Sequence, residues 1–169
     1  MSALADYTSP SDIRSLLGVE ALEIGDDILG LPHYVLELEQ ELRELDGGAG
    51  EALVQYTTVK ALTEPSRSSA QQRYFELMHL FASYAVARKL VGSADMFAPQ
   101  KIEDGKAAKT RPADQTQRLA EAIAAGYRLA KTRLTAQLLI LNPAAAITAN
   151  ATLVTIVASP IATDPVTGV

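Results

Sequence analysis

The stretch DQTQRLAEAIAAGYRLAKTRLTAQLLILN, residues 114–142, decides the fold. Leu119, Ile123, Gly126/Tyr127, Ala130, Leu134, Leu138 and Leu141 recur at three- and four-residue steps, the period of one face of an α-helix. Asp114-Gln115-Thr116-Gln117 has the spacing of a capping box, and Asn142-Pro143 ends the run, because proline cannot donate the backbone hydrogen bond a continuing helix needs. The pattern predicts about 28 residues of helix, ~42 Å at 1.5 Å per residue, the longest element of the chain. Gly126, flanked by Ala124, Ala125 and Ala130, would let another helix come close; otherwise it is a mildly unfavourable residue, costing about 1 kcal/mol relative to Ala.

Beyond Pro143 the composition changes to Ala, Thr, Val and Ile. Residues Leu134 to Thr163 carry no charge, yet Asn142-Pro143, Asn150, Ser159-Pro160 and interspersed threonines break the run, whereas a membrane span needs about 20 predominantly apolar residues in one helix. No membrane partner is expected, and the N-terminus shows no basic region followed by an apolar core, so no secretory signal is expected either. Within the tail, Leu153, Val154, Thr155, Ile156 and Val157 are rich in β-branched residues and have strand propensity. A lone strand leaves its backbone groups unpaired, so these five residues are the expected contact segment of a docking arm, residues 143–169, that adds a strand to a partner.

Working towards the N-terminus, Tyr74, Leu77, Met78, Phe81, Tyr84 and Ala85 form one stripe of a helix starting between Thr63 and Ser68 and running to Gly92. Arg73, Glu76, His79 and Ser83 fall largely on its other face, and the three aromatic residues read as core. Residues 93–113 lack a sustained period and read as a loop. Leu31, Val35, Leu38, Leu42 and Leu45 define an amphipathic helix that ends in the loop Asp46-Gly47-Gly48-Ala49-Gly50. A short helix start lies at Gly25-Asp26-Asp27. Before it, Ser9 caps, Pro10 fits the first helical position and Gly18 stops a first helix. The fold class expected is therefore all-α: a bundle of about four helices in a domain of residues 1–142, with a long C-terminal helix and the extended arm.

Composition agrees with this and narrows the chemistry. A chain of 169 residues that is 48% hydrophobic and 21% charged suffices for one core, and with no Trp and few Phe the core must come mainly from aliphatic residues. The absence of Cys removes disulfides, thiolate nucleophiles and Cys-based zinc sites. His33 and His79 stand on separate elements without metal-ligand spacing, and no Gly-x-Ser-x-Gly, phosphate loop or dinucleotide fingerprint occurs. No catalytic site, metal or cofactor is expected. Glu37, Glu41 and Glu44 share a helix face, which reads as a solvated face rather than a cation site, since spacing alone builds no coordination shell.

Charge is unevenly divided. Residues 1–64 hold 13 Asp/Glu against 3 Lys/Arg, and residues 65–141 hold 12 Lys/Arg against 6 Asp/Glu. Two arrangements follow: the acidic face around Glu37, Glu41 and Glu44 of one copy meets the basic part of the next in a head-to-tail ring, or the two signs are solvated faces of one monomer. Lys101, Lys106, Lys109 and Arg111 are candidates for intersubunit contact or for touching a nucleic-acid backbone, and Arg118, Arg128, Lys131 and Arg133 follow on the last helix.

In their order along residues 8–140, Ser11-Asp12-Ile13-Arg14-Ser15-Leu16-Leu17-Gly18-Val19, Leu29-Gly30-Leu31-Pro32, Tyr84-Ala85-Val86-Ala87 and Pro99-Gln100-Lys101-Ile102-Glu103-Asp104-Gly105-Lys106-Ala107 resemble the head–tail adaptor, or head-completion connector, proteins of tailed bacteriophages. The resemblance implies a helical subunit of a homo-oligomeric ring, usually dodecameric, beneath the portal protein. Such a ring extends the DNA channel, with non-specific contact to channel DNA, and docks the tail or tail-terminator protein. It implies a virion protein of the neck, assembled in the host cytoplasm, with no catalytic site. The alternative is a nucleic-acid-binding accessory protein using the basic 101–133 region.

Overall fold

In the computed structural model of the chain the first helix, α1 (Pro10–Leu17), has the boundaries its sequence dictates. The Ser9 hydroxyl accepts from the Asp12 amide at 3.2 Å, and Gly18 ends the helix at φ 63°, a left-handed conformation that a Cβ makes costly. The structure describes residues 3–46, 50–92 and 113–143. Within them the protein is all helical. After α1 come α2 (Asp26–Leu29), α3 (Pro32–Glu44), α4 (Glu51–Ala61), α5 (Ser69–Gly92) and α6 (Ala113–Leu141), with single 3-10 turns at Leu4–Asp6 and Glu64–Ser66. Among the described residues no helix is long and apolar enough to cross a membrane. The segment expected to act as a docking arm, with Leu153–Val157, and the basic residues Lys101, Lys106, Lys109 and Arg111, lie outside the described residues.

The central element is α5. Tyr74, Met78, Phe81, Ala82, Ala85, Val86, Ala87 and Leu90 are all buried along it, and they do not share one face. A helix apolar on several sides must be covered on several sides. Its most extensive packing is against α6, and the pair runs antiparallel: Gln137 Nε2 donates to the Ala70 carbonyl at 3.1 Å near one end, while the Phe81 and Tyr127 rings meet at 5.4 Å further along. The α6 stripe read from sequence is the one that faces inward, with Ile123, Tyr127, Ala130, Leu134 and Leu138 buried and Leu119 and Leu141 half-buried. At Gly126 the ring of Tyr84 from α5 packs directly on the α6 backbone, and a Cβ there would fall 2.3 Å from Cε1 of Tyr84.

Two local expectations are corrected. Residues 51–61, between the Asp46–Gly50 loop and the helix read from Thr63–Ser68 and assigned no element from the sequence, form α4. Ala52, Tyr56 and Val59 give it a buried i, i+4, i+7 stripe, but exposed Val54 and the β-branched Thr57 and Thr58 blur the period. Its first turn is held by Asp46, whose carboxylate accepts from the Gly50 amide at 3.0 Å and the Ala52 amide at 2.9 Å, so the capping residue lies across the glycine loop from the helix it caps. Ser83, placed on the polar face of α5, is buried, because Thr8 packs there and the two hydroxyls bond at 2.5 Å.

Candidate assembly surfaces

The acidic helix face predicted from Glu37, Glu41 and Glu44 does not behave as one surface. Glu44 is exposed and accepts from Gln40 at 3.1 Å. Glu37 reaches Lys89 of α5 at 3.1 Å with both side chains about half exposed, a pair worth roughly 0–1 kcal/mol. Glu41 is different: its side chain is 15% exposed, and it joins three helices. One carboxylate oxygen accepts from Arg88 Nη2 at 2.6 Å, the other from the Tyr127 hydroxyl at 2.8 Å, and the Arg88 guanidinium lies 3.9 Å above the Tyr127 ring. Burial, with the Glu41 carboxylate second, pushes the Tyr127 hydroxyl up to about 12. Beside this clasp Tyr34, Glu37, Leu38, Glu41, Ala85, Val86 and Lys89 line a hollow of about 10 Å³, room for a single water.

Part of the charge division is thus neutralised inside one chain, with the acids on α3 and the bases on α5. His79 adds a further cross-pair, its Nε2 lying 2.8 Å from Asp12 on α1. The Ser9 hydroxyl first, and then His79, hold the Asp12 carboxyl below the usual carboxylate range. His33 is exposed, its ring 3.9 Å from that of Tyr34 and tilted to it by 43°. Among the described residues no group of three or more His, Asp or Glu is placed to hold a metal ion.

Arg43, Glu64 and Arg73 are exposed without an ion pair among the described residues, and Leu36 and Val54 are exposed as well, but two further places each bring an exposed apolar side chain together with several unpaired charges of one sign. The first is the turn between α1 and α2. The amides of Glu23 and Ile24 donate to the Glu20 carbonyl at 3.0 and 3.2 Å, the Glu23 carboxylate accepts from the Glu20 amide at 2.8 Å, and Arg14 Nε donates to the Ile24 carbonyl at 2.9 Å. Arg14 also pairs with Asp26. Ile24 is buried beneath the turn, and these bonds leave Leu22 at its tip, 97% exposed and bracketed by exposed Glu20, Glu23 and Asp27.

The second is the outer face of α6. Ala125, Leu129, Thr132, Ala136, Leu139 and Ile140 are all exposed and follow the same three- and four-residue rhythm as the inward stripe, displaced to the opposite side. Leu129 is 51% and Ile140 66% exposed. The one hydroxyl on this face, that of Thr132, donates back to the Arg128 carbonyl at 3.0 Å, so its methyl is what faces outward. Arg128 and Arg133 edge the stripe, while Arg118 and the acidic Glu121 precede it on the same side; all four are exposed and make no ion pair among the described residues.

Phe81, Tyr84 and Arg88 fall on the side of α5 that meets α6, whereas His79 and Ser83, which meet α1 and the turn before it, stand roughly half a turn around the helix at ~100° per residue. The helix that leads into the acidic turn and the helix that carries the apolar stripe therefore pack on different sides of α5. Neither of the two places was singled out in the sequence. On α6 the signal was a second stripe hidden behind the first; at Leu22 it was an isolated large apolar residue between two glutamates. No protein-family model, curated protein or solved structure matches the chain.

Proposed function

We propose that the chain is a structural subunit of the neck of a tailed bacteriophage. Copies join in a ring, expected to be dodecameric, that couples the portal protein to the tail or tail-terminator protein and extends the DNA channel. The observation that carries this reading is the polarity of the subunit: unpaired acid with an apolar tip at the turn after α1, unpaired base with an apolar stripe on α6. Distinct complementary patches of one subunit join head to tail and close into a ring when the rotation permits. The segments behind the adaptor resemblance support it too, since Ile13 and Leu17 of α1, Leu29 at the α2–α3 corner and Ala85, Val86 and Ala87 of α5 belong to the one core that fixes those patches. The test is electron microscopy of the full chain mixed with its cognate portal protein. Rings seated on portal are expected; a strict monomer that never binds portal overturns the reading.

The second reading, a nucleic-acid-binding accessory protein, is favoured by the row of Arg118, Arg128 and Arg133 along one helix. It predicts DNA affinity that falls steeply with salt and is lost when these three arginines are neutralised, with no requirement for portal.

A further inference from the structure

The acidic turn and the outer face of α6 have the matching properties of two halves of one contact. Leu22 is a nearly fully exposed apolar tip on a turn held by four backbone or backbone-to-side-chain hydrogen bonds, so presenting it costs little further ordering. Glu20 and Glu23 flank it in the turn and Asp27 follows in the first turn of α2, none of them ion-paired among the described residues. On α6 the small side chains of Ala125 and Ala136, on either side of Leu129, leave shallow recesses in an apolar strip about 22 Å long from Ala125 to Ile140 at 1.5 Å per residue. The arginines edging that strip are the opposite charges the turn lacks. Within a subunit α1, which leads into the turn, and α6 pack on different sides of α5.

We propose that Leu22 of one copy seats on the Leu129 region of α6 in the next copy, with Glu20, Glu23 and Asp27 facing Arg118, Arg128 and Arg133. This deepens the ring reading above and rests on it. The contact is heterologous: each copy uses its turn towards one neighbour and its α6 towards the other. An apolar centre with a charged rim has the anatomy of a specific protein interface, and the rim makes association faster and salt-sensitive.

The chain contains no cysteine, so paired substitutions report the contact directly. Leu22→Cys chains and Leu129→Cys chains, each full-length, are mixed and oxidised at a concentration where the unsubstituted chain self-associates, with portal present if association requires it. The expected product is a disulfide between one chain of each kind, formed at least tenfold faster than either variant crosslinks with itself, and slowed by salt. Both positions are exposed, so the melting temperature of each variant should match that of the unsubstituted chain. A second pair tests polarity: Leu22→Asp and Leu129→Asp each block growth beyond the monomer alone, yet their mixture yields a one-to-one pair and nothing larger, because one good half survives on each. Crosslinking of Leu129→Cys only with itself, or full assembly by Leu22→Asp, overturns the proposal while leaving an assembling chain. An unsubstituted chain that stays monomeric with and without portal overturns both it and the ring, and loss of DNA binding alone on Arg128→Glu assigns the α6 face to nucleic acid instead.

Discussion

At the scale of single residues, Gly126 shows how a position with two readings in sequence acquires one in the structure. Its missing Cβ is occupied by the half-buried Tyr84 ring, at 2.3 Å from where that atom would stand. Two effects oppose each other when alanine is introduced: a gain of about 1 kcal/mol in helix propensity and a loss of roughly 1–3 kcal/mol from forcing the ring aside. The clash exists only while Tyr84 is present. Gly126→Ala should therefore destabilise the chain by up to about 2 kcal/mol alone and stabilise it by about 1 kcal/mol in a Tyr84→Ala background, a reversal of sign that urea denaturation of the four chains measures directly. An effect of the same sign in both backgrounds would mean that Tyr84 does not govern this position. Ser83 carries the complementary lesson: its polarity placed it at the surface, but Thr8 supplies a hydroxyl partner and so makes burial affordable.

Among elements, helices α3, α5 and α6 are joined through one carboxylate. Glu41 accepts from Arg88 and Tyr127 at once, so its removal leaves a half-exposed guanidinium and a partly buried phenol without their acceptor. Glu41→Ala should cost about 2 kcal/mol, the lower part of the range for hydrogen bonds to charged groups, because Arg88 at 38% exposure regains water. Glu41→Gln keeps an acceptor for Tyr127 and should cost about half as much; denaturant midpoints at constant slope check both. Sequence period alone placed Glu41 with Glu37 and Glu44 on a solvated face, since all three share one side of α3. Its distinct role depends on where α6 crosses, and no local pattern in α3 encodes that. The converse holds for α1, where Ser9, Pro10 and Gly18 set both ends within the helix's own sequence, and for the inward stripe of α6, whose period was legible because a single partner helix covers it. The α4 stripe was not legible, because its capping residue stands across the glycine loop and its exposed face includes an apolar valine.

For the molecule as a whole, several tyrosines knit the core and make its stability depend on alkaline pH. Burial pushes Tyr56 and Tyr127 up to about 12, and Tyr74, bonded to the Ala52 carbonyl at 2.7 Å, is also shifted upward chiefly by burial. In the unfolded chain these phenols ionise near about 10, while the folded state keeps their protons. Their contribution is therefore complete below about pH 10 and is lost as pH rises towards about 12. The melting temperature should fall through that window, and the fall should be shallower in Tyr127→Phe, which removes one ionising group; an unchanged slope would place the alkaline transition elsewhere. What the sequence by itself determined was the all-α class, the ends of α1, the long C-terminal helix and its inward face, because caps and helical period act between residues a few positions apart. Only the tertiary structure decided which acids are consumed inside the subunit, that residues 51–61 are helical, and that Leu22 and the outer face of α6 stand exposed. Those outcomes follow from how elements distant in the chain cover one another, and a surface left uncovered is defined by the rest of the fold.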